Sequence, residues 1–254
     1  MISCLTITQT GHLDLLATAV ADFTRQTFPD RELLVVHDGG PELHADIERL
    51  LAPHQAAGQN IRLLAGQPGS SLGVLRNLSL DAARGDFICQ WDDDDRYHPL
   101  RLELQWQKMT EDKADFCFLC DQLHWFHDSG TLFWDDWYPD SWPINVIQGT
   151  LLGRRELMPR YPDAKRGEDT SALIGILRAR HRIARLRHAG WCYLYSYHGS
   201  NAWEASHHQA IAQAKGLHWS RLTGRKAVLE QRLAEYQPPL PPLKMQCANE
   251  IWQF

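Results

Sequence analysis

Two hydrophobic rhythms alternate along the first hundred residues. SCLTIT (3–8) reads as a short strand, and Leu13, Leu15, Leu16, Ala19, Val20 and Phe23 then recur at helical spacing. ELLVVH (32–37) is an almost unbroken apolar run of the kind buried on both faces of a sheet, and DGG ends it. Residues 42–57 read as helix, IRLLA (61–65) as strand, and GQPGSSLG (66–73) as a loop of turn formers. A helix over 73–84 leads into DFICQW (86–91), a further buried strand that runs directly into Asp92–Asp95. Pro99 stands where the next helix starts, and LRLELQWQKM continues it. This βαβαβα order predicts an α/β fold with a parallel sheet and right-handed crossovers.

The pattern changes in the middle of the chain. FCFLC (116–120), LHWFHDSGTLFW (123–134) and NVIQGTLLG (145–153) read as strands, with Asp128-Ser129-Gly130 as a hairpin turn. The loop PDAKRGED, a helix over 169–180, the strand WCYLYSYH (191–198) and mostly helical sequence from Glu204 to Tyr236 follow, before PPLPP (238–242) breaks the chain. The expected division is a nucleotide-binding half over 1–98, an acceptor-side half over 99–203 and a helical extension over 204–254. In that extension Ile211, Ala214, Leu217 and Leu222 trace an apolar stripe near Lys215, Arg221 and Arg225. Such a stripe packs back on the domain or touches a membrane surface peripherally.

Composition narrows the function. The net charge is −5 with no basic tail, which argues against a nucleic-acid partner. No run reaches the ~18 apolar residues that span a bilayer, and MISCLTITQTGH lacks the basic start and apolar core of a signal peptide. Six scattered cysteines suit a reducing cytoplasm. Cys117 and Cys120 form one CxxC without a second pair, so structural thiols are the simpler reading.

The aspartate run carries the chemistry. Four successive carboxylates at the end of a buried strand repel one another, and a fold tolerates this best around a cation. Ligands of open α/β sheets bind at the carboxyl ends of the strands, where this run lies. Carboxylate oxygens suit Mg²⁺ or Mn²⁺, whose open positions take the phosphates of a substrate. A solvated acidic turn is the simpler alternative. Two other acidic motifs fail on spacing: a prenyl-transferase DDxxD needs an acid at Arg96, and a DxDxT phosphatase needs Thr or Val there.

ELLVVHDGG, then LGVLRNLSLDAARGDFICQWDDDDRYHPLRLELQ, then Gly167-Glu168-Asp169 together resemble the family 2 glycosyltransferases of the GT-A fold. The likeness runs in the same order over about residues 1–200. It implies a metal-dependent, inverting transferase that moves one sugar from a nucleotide sugar, usually a UDP-sugar, to a glycan or lipid-linked acceptor in cell-surface glycan assembly. On that resemblance Asp92 and Asp94 form the DxD that holds the metal and diphosphate, Asp94 as the more direct metal ligand and Asp92 nearer the ribose. Asp93 and Asp95 tune the charge, with Asp93 on the nucleotide-sugar side. Asp38 reads the base, Thr8 lies beside it, and Arg76 faces the nucleotide. Within Glu168-Asp169, Asp169 is the general base. His198, after a late strand, is a further metal ligand, which favours Mn²⁺ over Mg²⁺.

Each residue also has a structural reading: Asp38 starts a Gly-Gly turn, Arg76 lies on a helix surface, Thr8 ends a strand, Asp169 caps a helix and His198 is a polar strand end. Trp125, Trp134, Trp137 and Trp142 suit hairpin packing as well as a sugar platform, and His207 and His208 suit surface or packing roles. Lys165 and Arg166 suit an acceptor phosphate or bulk water. Ile7 and His37 depart from the proline and aspartate of the family pattern, and the Gln-x-x-Arg-Trp of processive synthases is absent, so single addition fits better. A nucleotidyltransferase lacks its basic Gly-rich loop here, since TQTGHLD offers one glycine and no Lys or Arg. A non-catalytic sugar-binding protein has no need of Asp169.

Overall fold

A computed structural model describes residues 1–143 and 145–254. The chain runs β1 (Ile2–Thr8), α1 (Leu13–Thr24), β2 (Arg31–His37), α2 (Pro41–Ala56), β3 (Ile61–Ala65), α3 (Leu72–Ala82), β4 (Phe87–Gln90), β5 (Arg96–Tyr97) and α4 (Arg101–Glu111). It continues through β6 (Phe116–Leu119), β7 (Asp121–Phe126), β8 (Thr131–Asp136), β9 (Leu152–Arg154), α5 (Glu168–Arg178), β10 (Ile183–Leu186) and β11 (Tyr193–Tyr197). The last segment holds α6 (Ala205–Lys215), α7 (Trp219–Leu222), α8 (Lys226–Ala234), β12 (Lys244–Cys247) and β13 (Glu250–Gln253).

The main sheet has seven strands in the order β10-β6-β9-β4-β1-β2-β3. β1 pairs parallel with β2 and β4, β2 with β3, and β6 with β10, while β9 runs antiparallel between β4 and β6. The apolar run of β2 explains why both faces are covered. Leu33 and Val35 enter one core with α1, α2 and α4, and Leu34 and Val36 enter the other with α3 and α5. All the parallel strands end at one edge, and that edge carries the site.

A second sheet, β13-β12-β8-β7-β11-β5, packs beside the first. The β7–β8 hairpin turns through Asp128-Ser129-Gly130, with Gly130 at φ +65°. β11 lies parallel to β7 and antiparallel to the two-residue β5, so the chain just after the aspartates is stitched to the second sheet.

Three expectations change. Only Leu152 and Gly153 of NVIQGTLLG pair as strand, in β9, because Gln148–Thr150 is a tight helical turn that the Thr150 hydroxyl closes onto the Ile147 carbonyl (2.6 Å). Residues 183–186 form an edge strand. Residues 204–254 are helical through Ala234 but end in the antiparallel β12–β13 pair, and β12 extends the second sheet at β8. The expected stripe divides: Leu222 is buried and Leu217 packs on the core, but on α6 itself His208 and Ala212 are the buried residues and Ala214 is exposed. No helix among the described residues is long and apolar enough to cross a membrane. All six cysteines are free and buried, as structural thiols.

Candidate active site

The turn after β4 is pinned from three sides. The Trp91 amide donates to the Leu5 carbonyl (3.1 Å), the Thr6 hydroxyl to the Trp91 carbonyl (2.7 Å), and the Tyr97 hydroxyl to the Asp92 carbonyl (2.8 Å). Within it the carboxylates alternate in exposure: Asp93 and Asp95 are buried, while Asp92 and Asp94 are partly open. Each has its own partners, which relieves their mutual repulsion.

Asp95 accepts from the Ser196 amide (2.9 Å) and the Tyr193 hydroxyl, which ties the turn to β11. Burial pushes its carboxyl well above the usual range, with Asp94 and Asp92 adding to the rise. Asp93 lies 3.2 Å from Nδ1 of His12. Burial raises the Asp93 carboxyl and Asp94 adds to this, while His12 and the Thr8 hydroxyl oppose the rise. The hydrogen bond to Asp93 raises His12 in turn, favouring an ion pair. Asp92 accepts from Gln90 Nε2 (2.9 Å) and from Arg76 Nη2 (3.0 Å). Asp94 lies 3.2 Å from Nε2 of His198.

Arg76 is the centre of the second half of the site. α3 buries it, and besides Asp92 it donates through Nε to Glu168 Oε1 at 2.9 Å. Burial opposes its charge, but Asp92, Tyr161, Glu168 and Asp169 outweigh that and hold it protonated. It is neither a surface residue nor a free donor toward solvent, since its guanidinium clasps β4 to α5. The next residue completes the clasp. Asn77 Nδ2 donates to the Tyr161 carbonyl (2.8 Å), and the Tyr161 amide donates back to Asn77 Oδ1 (3.0 Å). Gly73 makes room for it, because a Cβ there would stand 1.8 Å from the Pro162 carbonyl oxygen.

α5 starts at Glu168 behind Gly167, whose φ of +74° turns the chain, so glycine and not aspartate occupies the cap. Glu168 is buried against Arg76. Asp169 is half-exposed, with Oδ1 2.6 Å from the Thr170 amide. Burial, with the charges of Asp95, Asp94, Asp92 and Asp169 adding, raises the Tyr195 hydroxyl well above its usual range.

Asp38 is half-buried at the end of β2 and accepts from the Gly69 amide (3.1 Å). Beside it a groove of about 480 Å³ opens between Gln67–Ser71, Val74 and Asp163–Lys165. His37, the departure from the pattern, turns away, with Nε2 2.9 Å from His44 Nδ1 on α2.

Among the described residues no three His, Cys, Asp or Glu side chains form a metal cage. Asp94 and His198 nevertheless fit as a pair. Adjacent ligands of an octahedral ion lie about 3 Å apart, which matches their 3.2 Å. His198 Nδ1 lies 2.9 Å from the Ser200 hydroxyl, and with Nδ1–H donated there, Nε2 presents its lone pair. Asn201 Oδ1 accepts from the His198 amide (2.9 Å) and Asn201 Nδ2 donates to the Ser196 carbonyl (2.8 Å), so Gly199-Ser200-Asn201 sets the ring. The aromatic expectations divide: Trp125 and Trp134 are core residues, whereas Trp142 is 49% exposed.

Against this geometry the model of Glycosyl transferase family 2 matches residues 6–164. The chain belongs to that family. Among curated relatives, EpsH of Bacillus subtilis (strain 168) is 31% identical over 113 residues, 44% of this chain and 31% of that one. The cholesterol galactosyltransferase of Borreliella burgdorferi is 24% identical over 111 residues, 44% and 29%. The matched segment thus spans about a third of each relative. Solved structures share the fold at low identity. S. aureus TarS matches with TM-score 0.59 at 16% identity over 92% of this chain and 79% of that one. TarS in complex with UDP-GlcNAc gives 0.58 at 14% over 93% and 67%. The mannosyltransferase PcManGT of Pyrobaculum calidifontis, in complex with GDP-Man and Mn²⁺, gives 0.59 at 11% over 92% and 69%. The architecture is therefore of the GT-A type.

Five residues of this family 2 site escaped sequence reasoning: His12, Asn77, Gln90, Tyr193 and Asn201. Gln90 had one readable signal, a polar side chain inside a buried strand next to the acidic run. His12 had none, because its partner lies 81 positions away.

Proposed function

We propose that the protein transfers one glycosyl group from a nucleotide sugar to an acceptor hydroxyl, with inversion at the anomeric carbon. The observation that carries this is the Arg76 clasp. One buried guanidinium joins Asp92 of the acidic turn to Glu168, the neighbour of Asp169, and so brings the two carboxylate centres together.

Asp38, with Thr8 nearby, takes the base end of the donor beside the 480 Å³ groove. Asp92 and Asp93 line the ribose and diphosphate side. Asp94 and His198 hold Mn²⁺ or Mg²⁺, which supplies charge neutralisation for the departing diphosphate. Asp169 accepts the proton of the acceptor hydroxyl as the hydroxyl oxygen attacks the anomeric carbon from the side opposite the diphosphate. Its position in the first turn of α5 favours the ionised base and lowers its basicity, so its advantage comes from placement. Glu168 positions Asp169 through Arg76 and touches no substrate.

A UDP-sugar is the proposed donor, supported by the UDP-GlcNAc of the TarS complex; GDP-Man in the PcManGT complex makes guanine the rival base. The acceptor is a glycan or lipid-linked hydroxyl. Release of nucleoside diphosphate from a panel of nucleotide sugars, with Mn²⁺ and mixed glycan acceptors, tests the reading. Asp94→Ala and Asp169→Ala should each abolish acceptor-dependent release at an unchanged unfolding temperature. Wild-type turnover in both variants would sink it.

A further inference from the structure

The stretch Arg178–His188 holds five arginines, two histidines and no acid, in a chain of net charge −5. Topology sorts these cations. α5 carries the chain away from the carboxyl edge of the main sheet, and β10 returns it parallel to β6. Arg178, Arg180 and Arg182 are therefore exposed at the far edge, whereas Arg187 follows β10 at the edge that carries Asp92, with Arg185 just before it.

Arg185 and Arg187 share a face of the strand, and both stack on rings from the segment after β8. Arg185 Cζ lies 5.2 Å from the Tyr138 ring centre and 5.4 Å from that of Trp142. Arg187 Cζ lies 3.2 Å from the Tyr138 centre. Stacking fixes a guanidinium through its face and leaves the N–H donors in its plane unused. Among the described residues neither arginine is hydrogen-bonded or ion-paired to the protein, and the nearby acids are committed elsewhere. Asp136 pairs with Arg221 and Asp140 with Lys215, while Asp121 accepts from Trp134 Nε1 and the Ala189 amide. Two braced cations with free donors at the active edge are poor solvent decoration and a good oxyanion receptor.

From β4 to β10 there are three strand spacings, across β9 and β6, or about 14 Å. We infer that Arg185 and Arg187, braced by Tyr138 and Trp142, form a subsite for a phosphate or carboxylate that the acceptor carries about 14 Å from the hydroxyl it offers. Naming the ligand as acceptor rests on the transferase reading above, while the anion binding itself does not.

The test titrates the full chain by calorimetry in EDTA, so that no probe is held through a cation at Asp94. Short-chain polyphosphate and oligogalacturonate separate the two oxyanions, and maltohexaose is the neutral control. At least one anion should bind while maltohexaose does not, and the Arg185→Gln/Arg187→Gln double variant should bind that anion about tenfold more weakly. Arg182→Gln, which removes the same charge at the far edge, should change affinity less than twofold. Tyr138→Leu keeps both charges but loses the brace, and should weaken binding at least threefold if the double variant fails to fold. No anion binding by the wild type, equal binding of maltohexaose, wild-type affinity in the double variant, or an equal loss in Arg182→Gln would each overturn the subsite. Donor hydrolysis without acceptor, assayed with Mn²⁺ restored, should be unchanged in the double variant. Arginine-dependent anion binding by a chain that turns over no nucleotide sugar would uphold the subsite and overturn the transferase reading instead.

Discussion

Two aspartate–histidine pairs of the molecule stand in opposite surroundings. Asp94 and His198 stand 3.2 Å apart at the carboxyl edge of the main sheet, with 21% of the aspartate side chain open to solvent. Asp135 and His124 stand 3.0 Å apart inside the second sheet, both fully buried. His124 Nε2 continues to His208 Nδ1 on α6 at 3.2 Å, so the inner pair docks a helix onto a sheet. A cation and a diphosphate need open positions, and only the outer pair has them. The difference teaches that exposure, more than residue type or spacing, separates a site from a fastening.

Breaking each pair should therefore produce opposite phenotypes. The largest effect is expected for Asp94→Ala, which should lower glycosyl transfer about 10³-fold with an unfolding midpoint within about 2 °C of wild type. Asp135→Ala should do the reverse. Leaving His124 Nδ1 buried without its partner costs about 2 kcal/mol, or roughly 6 °C in a chain of this size, while the residual folded enzyme keeps its turnover. Calorimetry and a diphosphate-release assay on both variants check the pair of outcomes together.

Arg76 sharpens the comparison because it is buried like the inner pair yet serves the outer site. Arg76→Lys keeps the charge but not the fork that reaches both Asp92 and Glu168. It should lower kcat about 10- to 100-fold, the usual cost of disturbing a residue that positions others at a metal site. Little change in donor KM would identify its role as positioning, whereas a loss confined to KM would mean that it binds nucleotide directly.

The smallest effect is a slope. Burial, with His124, His207 and His198 adding, pushes His208 down to about 4. Burial also pushes His98 down to about 4, against the pull of Glu235 and with the help of Arg232 and Arg25. Unfolded histidine titrates near 6.5, so between about 4 and 6.5 the unfolded chain binds more protons. Stability is then fully present above that window and is lost as pH falls through it. His127, pushed down to about 4 chiefly by burial, adds to this loss, while Asp121, pushed up to about 6, and Asp22, Asp93 and Asp95, also raised chiefly by burial, work in the opposite sense. On acidification from pH 7 to 5, His208→Gln should therefore lose less unfolding temperature than wild type does. Equal losses in His208→Gln and wild type would break the assignment of His208 as buried and neutral.

How much of this the sequence disclosed follows from how local each signal is. β2 and β4 are apolar runs that bury both faces, so Leu33–Val36 and Ile88–Cys89 announce themselves. The acidic turn does so by the improbability of four adjoining carboxylates. β10 did not, because IARL sits on an edge, buries only Ala184 and carries an arginine. β12 and β13 are four residues each, and their buried positions, Met245, Cys247 and Trp252, are too few to set a period. α6 misled by its composition, since its deepest side chain is a histidine that only the distant Asp135–His124 pair makes tolerable to bury. Arg76 and Glu168 were both singled out in the sequence, but the hydrogen bond between them spans 92 positions and is a property of the fold alone.

The most direct measurement is Mn²⁺ binding in the presence of UDP, read from the loss of the free-ion electron paramagnetic resonance signal. Wild type and Asp135→Asn should both take up one Mn²⁺ per chain, and Asp94→Asn should take up none at the same concentrations. Equal uptake by Asp94→Asn, or uptake that disappears only in Asp135→Asn, would contradict the assignment of the open carboxylate edge as the place where cation and diphosphate meet.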